Sequence, residues 1–273
     1  MWGRLGGVNV TSGKAELACD TAGQGEPVLL LHAGVADSRS WARVVDVLAP
    51  ARQTIAFDRR GYGRTSYEPE PHSHVDDALA VLDHFGAGAT ALVGNSMGGR
   101  TALDLALAHP ERVTRLVLIA PGVRGAPELG ELNATEKALA DAIDAAEAAG
   151  DLAEVNRLEA HVWLDGPAAP EGRVGGAARE LFLDMNAVAL AAPDAGDEAD
   201  LPSAWDRLGE IGVPTLVIVG ALDFDEEMAT CTALGAAIPG AGLEVIPGVA
   251  HLPQMEADPT VFDLIDEFLA APG

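Results

Sequence analysis

The sequence predicts an α/β fold: a mostly parallel central sheet flanked by helices, interrupted by a helical insertion. Three observations predict it. Short, continuous apolar runs recur along the chain, as in Pro27–Leu31, Val113–Ala120 and Thr215–Val219, and such runs mark strands covered on both faces. Segments with helical spacing alternate with them, which implies right-handed crossovers between parallel strands. Between residues 123 and 212 that rhythm stops and only helical stretches remain.

In chain order, Val8–Val10 and Ala15–Thr21 predict an edge hairpin turning at Ser12-Gly13. Pro27–Leu31 is the first covered strand, ending in His32-Ala33-Gly34-Val35. Trp41–Leu48 has helical spacing. Thr54–Phe57 is a strand, followed by the loop Asp58-Arg59-Arg60-Gly61-Tyr62-Gly63-Arg64. Val75–Phe85 is an amphipathic helix. Thr90–Val93 is a strand, Ala102–Ala108 a helix, and Val113–Ala120 a strand stopped by Pro121-Gly122. In the insertion, Thr135–Ala149, Leu152–Trp163 and Gly176–Leu190 read as helices, with breaks at Pro167–Pro170 and Pro193–Pro202. Thr215–Val219, a helix from Glu226 to Ile238, and Leu243–Ile246 resume the alternation. Pro259 opens a closing helix to Leu269. The expected division is a core of residues 1–122 and 213–273 with an insertion of residues 123–212.

Between the strand at Thr90 and the helix at Ala102 lies Gly94-Asn95-Ser96-Met97-Gly98, a G-x-S-x-G pattern. A strand that turns sharply into a helix needs small residues two before and two after the apex, so that the backbones can pass. The apex residue is held strained, its hydroxyl thrust out beside a helix N-terminus. That position suits a nucleophile. Sites in open α/β sheets form beyond the carboxyl ends of the strands. The segment after His32, Ser96, Asp223 and His251 all fall there. Serine attacks only if a base takes its proton. An imidazole does this near neutral pH, and a carboxylate holds its tautomer. Asp225 and Glu226 are rivals to Asp223 on the same loop. Asp223 is preferred because Asp225 suits an N-cap and Glu226 a first helical turn.

These segments resemble the α/β-hydrolase superfamily. The resemblance rests on Leu31-His32-Ala33-Gly34, Asp58-Arg59-Arg60-Gly61-Tyr62-Gly63, the Ser96 pentapeptide with Gly99, Val219-Gly220-Ala221-Leu222-Asp223, and Val249-Ala250-His251. It implies an α/β-hydrolase fold, Ser96 as nucleophile, His251 as base and Asp223 as orienting acid. It implies that residues 123–212 form a cap. It also implies an oxyanion hole made by the Met97 N–H and one N–H after His32, that of Gly34 or alternatively Val35. His32 is expected to support that loop and Asp58 to anchor a turn. Trp163, Phe182, Met185 and Trp205 are candidate pocket residues, with packing of the insertion as their competing role.

The elbow Gly94–Gly99 is similar to that of hydrolases cleaving carbon–carbon bonds in ring-opened aromatics. Val35-Ala36-Asp37 and Leu252 depart from that class. A serine nucleophile excludes the similar dehalogenase and epoxide-hydrolase branches. The expected activity is a carboxylesterase or lactonase acting on a small molecule. A carbon–carbon bond hydrolase is the alternative, and a triad-retaining ligand sensor is a third. That chemistry needs no metal and no organic cofactor.

The 273 residues are 48% apolar, enough for one large domain or a core with an insertion. No run of about 18 apolar residues suggests a membrane span. The formal charge of −25, from 42 acidic and 17 basic residues, repels phosphate backbones and anionic lipid. Nucleic-acid and membrane partners are therefore not expected. The start of the chain lacks the pattern of a signal peptide. Cys19 and Cys231 match no metal or redox spacing and are expected as buried thiols in a reducing, cytoplasmic setting.

Overall fold

The computed structural model describes residues 7–256 and 258–271. The outermost residues of the two core segments, 1–6, 272 and 273, lie outside them.

The apolar runs become the strands of a nine-stranded sheet, ordered β1-β2-β4-β3-β6-β7-β8-β9 with β5 beside β2. The strands are β1 Val8–Ser12, β2 Ala15–Ala22, β3 Pro27–Leu31, β4 Gln53–Phe57, β5 Ser66–Tyr67, β6 Thr90–Asn95, β7 Val113–Ile119, β8 Thr215–Gly220 and β9 Gly242–Ile246. From β4 to β9 every pairing is parallel, and only β1, β2 and β5 join antiparallel. The hairpin turns at Gly13-Lys14, one residue later than expected, because Gly13 supplies the positive φ of 55°.

Helices cover both faces. α2 (His74–His84), α3 (Met97–Ala108) and α7 (Asp225–Ala237) flank one face, α1 (Ala42–Leu48) and α8 (Pro259–Ala270) the other. Leu29, Leu92, Leu118 and Val217 point into the first core layer, while Leu30, Val93, Val117 and Ile218 point into the second. This is the period-two alternation of strands buried on both sides.

Between β7 and β8 lie α4 (Ala134–Ala149), α5 (Leu152–Glu159), a π-helical turn (Ala160–Asp165) and α6 (Gly176–Leu190). Asn133 and Glu136 close a capping box on α4. A small apolar cluster joins the insertion to the loops above the sheet: Ala160, Leu164, Phe182 and Met185 meet Ala33, Ala36, Leu252 and Met255. Arg173 strengthens the join, pairing with Glu256 at 2.5 Å and donating to the Gly248 carbonyl at 2.8 Å. Among the described residues no helix is long and apolar enough to cross a membrane.

Cys19 and Cys231 are free, buried thiols in the first core layer, and burial pushes the Cys19 thiol up to about 12.

Candidate active site

The turn from β6 to α3 is as sharp as its glycines predict. Ser96 has φ 54° and ψ −117°, a strained conformation for a residue with a side chain. A side chain at Gly94 would stand 2.5 Å from the Gly98 carbonyl oxygen, and one at Gly98 would collide with the Leu31 carbonyl. The strain is held by backbone bonds. The Ser96 N–H donates to Ile119 at 2.9 Å, and the Ser96 carbonyl accepts from Arg100 at 2.9 Å and Gly122 at 3.0 Å.

Asp223 and His251 come from adjoining strand ends. The break after β8 is tight: a side chain at Gly220 would collide with the carbonyls of Val249 and Ala250. That close approach brings the two loops side by side, and the Leu222 N–H donates to Val249 at 2.9 Å. His251 Nδ1 then meets Asp223 Oδ2 at 2.8 Å, with His251 3% and Asp223 5% exposed. The second oxygen, Oδ1, accepts from the Phe224 N–H at 2.9 Å. With Nδ1–H donating to the carboxylate, Nε2 is the nitrogen left to accept a proton. Burial opposes charge on the ring, but the Asp223 carboxylate outweighs it and Glu227 adds to the effect. The His251 pKa therefore stands above its ordinary value. Burial pushes the nearby Glu227 carboxyl up to about 7.

One residue the sequence did not single out ties these loops together. Buried Asn95 donates through Nδ2 to the carbonyls of Ile119 at 2.9 Å and His251 at 3.1 Å. Its Oδ1 accepts from Gln254 Nε2 at 3.0 Å. The residue beside Ser96 thus clamps the backbone of His251. Its place inside the pentapeptide was the available signal; two of its three partners, His251 and Gln254, lie more than 150 positions away.

A cavity of about 220 Å³ opens above the elbow, lined by Gly34, Val35, Ser96, Met97, Glu159, Trp163 and His251. It contains the nucleophile and base candidates and all the expected oxyanion donors. Among the described residues neither Gly34 nor Val35 donates its N–H to a protein acceptor, whereas Ala36 donates to Ala33 at 3.3 Å. His32 lies beneath this loop, fully buried. Its Nε2 accepts from the Arg59 N–H at 3.1 Å and its Nδ1 faces the Ala33 carbonyl at 2.8 Å. Burial and the Arg59 charge hold His32 neutral. Asp58 braces the same region, accepting from the Ser38 N–H and the Arg64 N–H, both at 2.9 Å.

The pocket candidates separate. Trp163 lines the cavity, its ring 4.7 Å from the His251 ring and 5.3 Å from Phe224. Phe182 and Met185 are 0% and 1% exposed and pack the insertion onto the core instead, with Met185 Sδ accepting from the Asp37 N–H at 3.5 Å. Trp205 packs against the core layer of α2, α3 and α7, away from the cavity. For Phe182 and Met185 the cause is that helical spacing marks an apolar face without saying what that face meets; Trp205 stands outside the predicted helices, in a short 3-10 turn, and its bulk alone does not say what it packs against. Glu159 was missed for the converse reason, since an acid on a polar helix reads as a solvated face.

Among the described residues neither rival to Asp223 hydrogen-bonds His251. Glu226 does occupy the first turn of α7. Asp225, expected as the N-cap, is the first helical residue, and Phe224 takes the cap position without a side-chain bond. Glu136 of α4 supplies the missing acceptor, with its Oε1 3.3 Å from the Asp225 nitrogen. Among the described residues no group of three or more His, Cys, Asp or Glu side chains is placed to hold a metal ion.

A strained serine at a strand–helix elbow, a buried Asp–His pair beyond neighbouring strands and a largely parallel sheet define a class of fold. The family model for the α/β-hydrolase fold matches residues 26–169. The chain belongs to the α/β-hydrolase fold family. It is 30% identical to 2-hydroxymuconate semialdehyde hydrolase of Pseudomonas sp. (strain CF600), over 91% of this chain and 88% of that one. It is 28% identical to a putative 2-succinyl-6-hydroxy-2,4-cyclohexadiene-1-carboxylate synthase of Bacillus subtilis (strain 168), over 98% and 100%. Among solved structures it is similar to Est816, described as an N-acyl homoserine lactone degrading enzyme, with 26% identity, TM-score 0.74 and coverage of 95% and 99%. A thermophilic esterase from Thermogutta terrifontis is similar at 26% identity, TM-score 0.73 and 97% of each chain.

Proposed function

We propose that this chain is a serine hydrolase that cleaves a small carboxylic ester or lactone through an acyl-enzyme on Ser96. The observation that carries the reading is the 2.8 Å contact of His251 Nδ1 with Asp223 Oδ2, in a ring that shares a cavity with Ser96. In this mechanism His251 Nε2 takes the Ser96 Oγ proton as the oxygen attacks the ester carbonyl. The tetrahedral oxyanion is met by the Met97 N–H, at the N-terminus of α3, and by the N–H of Gly34 or Val35. Protonated His251 gives its proton to the departing alkoxide, leaving the acyl group on Ser96. A water, deprotonated by His251, then attacks the acyl carbon and releases the acid and the free serine.

Residues 123–212 serve as the cap in this reading, with Trp163 and Glu159 forming the wall opposite the elbow. The free thiols Cys19 and Cys231 are in keeping with a reducing, cytoplasmic setting.

The competing reading is carbon–carbon bond cleavage, as in the name of the Pseudomonas relative. Another relative, from Burkholderia cepacia, is named a hydrolase of a dienoate, which is an anion. The cavity here carries the Glu159 carboxylate and is lined by no lysine or arginine. An anionic substrate would meet like charge there, which favours the ester reading.

The test is a substrate panel: a short p-nitrophenyl ester, an acyl lactone and a ring-cleavage dienoate. Turnover of the ester or lactone, lost in Ser96→Ala, supports the proposal. Turnover of the dienoate alone overturns it in favour of carbon–carbon cleavage.

A further inference from the structure

Glu159 stands at the end of α5, where the backbone passes into the π-helical turn Ala160–Asp165. It lines the cavity with Ser96 and His251. A side chain on a cavity wall can be apolar at little cost, yet here the wall carries a carboxylate. The carboxylate is also held in place. Glu159 Oε2 accepts from Asn186 Nδ2 at 2.6 Å. Asn186 Nδ2 also donates to Asn156 Oδ1 at 3.1 Å, and Asn156 Nδ2 donates to the Leu183 carbonyl at 2.8 Å. Asn156 and Asn186 are 8% and 1% exposed, so α5 and α6 bury two amides to position one acid. Among the described residues Glu159 Oε1 has no hydrogen-bond partner, and it is not one of the sealed buried polar atoms.

We infer that Glu159 is the recognition group of the site and selects substrates bearing an ammonium or an N–H donor beside the scissile ester. The inference rests on the hydrolase reading above and names its substrate class. Three features bear on it. Apart from His251, whose ring is committed to Asp223, the lining residues include no basic side chain, so no lysine or arginine there neutralises Glu159. The chain's charge of −25 enriches cations near its surface and depletes anions. Burial pushes the Glu159 carboxyl upward, opposed by Asn186 and reinforced by Glu147, so a cation that returns the lost solvation binds to the charged form. The amide network also fixes which oxygen is free. Oε2 is committed to Asn186, and Oε1 is left to accept a charge-assisted hydrogen bond.

The experiment compares two isosteric esters, 2-(dimethylamino)ethyl butyrate as its ammonium form and 3-methylbutyl butyrate, with hydrolysis followed by proton release. The wild-type protein is expected to cleave the ammonium ester with at least about tenfold higher kcat/KM, carried by KM, the scale of one hydrogen bond to a charged group. Glu159→Gln should remove that preference, with the ammonium ester losing about tenfold more in kcat/KM than the neutral ester. 2-(Dimethylamino)ethanol should inhibit cleavage of the neutral ester competitively in wild type, and much less in Glu159→Gln. This inhibition needs no turnover of the amine substrate. Equal rates on the two esters in wild type overturn the inference while leaving ester hydrolysis standing. An equal loss on both esters in Glu159→Gln also overturns it and reduces Glu159 to a structural part of the Asn network. If neither ester is cleaved and a fluorophosphonate fails to label Ser96, the hydrolase reading itself falls, and this inference falls with it.

Discussion

Asp223 and His251 are joined by one buried bond: Asp223 Oδ2 lies 2.8 Å from His251 Nδ1, and both side chains are shielded from solvent. Asp225, two residues on, is exposed in the first turn of α7, and among the described residues it makes no hydrogen bond with the ring. Asp223→Asn would offer the ring an amide and favour the wrong tautomer. A drop in kcat of several orders of magnitude is expected, in line with the roughly 10⁴ measured for the matching change in a serine protease. Asp225→Asn should cost less than about tenfold, under about 1.4 kcal/mol of barrier. Steady-state kinetics of both variants under one set of conditions decide the matter. The reverse ranking would move the orienting role to Asp225.

The pH dependence follows from the same pair. In the proposed mechanism His251 has to be neutral to accept the serine proton, and its pKa is raised above the ordinary value by Asp223 and Glu227. The acid limb of kcat/KM should therefore have an apparent pKa above about 6.5. Glu227 titrates at about 7 beside it, so the limb reports the coupled pair. Glu227→Gln removes one negative neighbour and should shift the limb to lower pH. A limb that stays in place in this variant would contradict the coupling.

Glu227 also makes a stability prediction. Its folded pKa, about 7, is raised above the ordinary glutamate value near 4.3. Protonation thus favours the folded state, and that contribution is lost as pH rises through 7. Glu227→Gln should raise Tm at pH 8, and most of the gain should vanish at pH 5. A Tm difference independent of pH would count against a buried, titrating Glu227.

Trp163 and Phe182 should respond in opposite ways. Trp163 lines the cavity, so Trp163→Ala should alter the ratio of kcat/KM between short and long acyl esters with little change in Tm. Phe182 is fully buried between insertion and core, and Phe182→Ala should cost about 3–5 kcal/mol of stability. Its substrate ratios should stay close to wild type. Thermal melts and an acyl-chain series measure both.

Much of the fold and the candidate site was legible because its signals are local. β3 and α6 have the boundaries that their apolar runs and breaks suggest. The Ser96 elbow is written in adjacent glycines, since the strain and its relief lie within one turn. β5 was not legible. It is two residues long and exists because Glu16 and Ala15 of β2 pair with it. The cap of α7 was misassigned because Glu136, 89 positions away, supplies the acceptor that the local sequence assigned to Asp225. Glu159 and the Asn95–Gln254 clamp were missed for the same reason, since their meaning lies in partners distant in sequence.

The surface charge gives a further expectation. A charge of −25 repels itself, and salt screens it. Tm should rise between low salt and about 1 M salt, where the Debye length is about 3 Å. An unchanged Tm would mean that the acidic composition is balanced within the fold.

The central claim is that Ser96 is a nucleophile activated by His251. Its most direct test is covalent labelling with a fluorophosphonate, mapped by peptide mass spectrometry. One equivalent is expected on Ser96, no labelling in Ser96→Ala, and strongly slowed labelling in His251→Ala. Labelling at any other residue, or a reaction with Ser96 that is as fast without His251, would contradict the account.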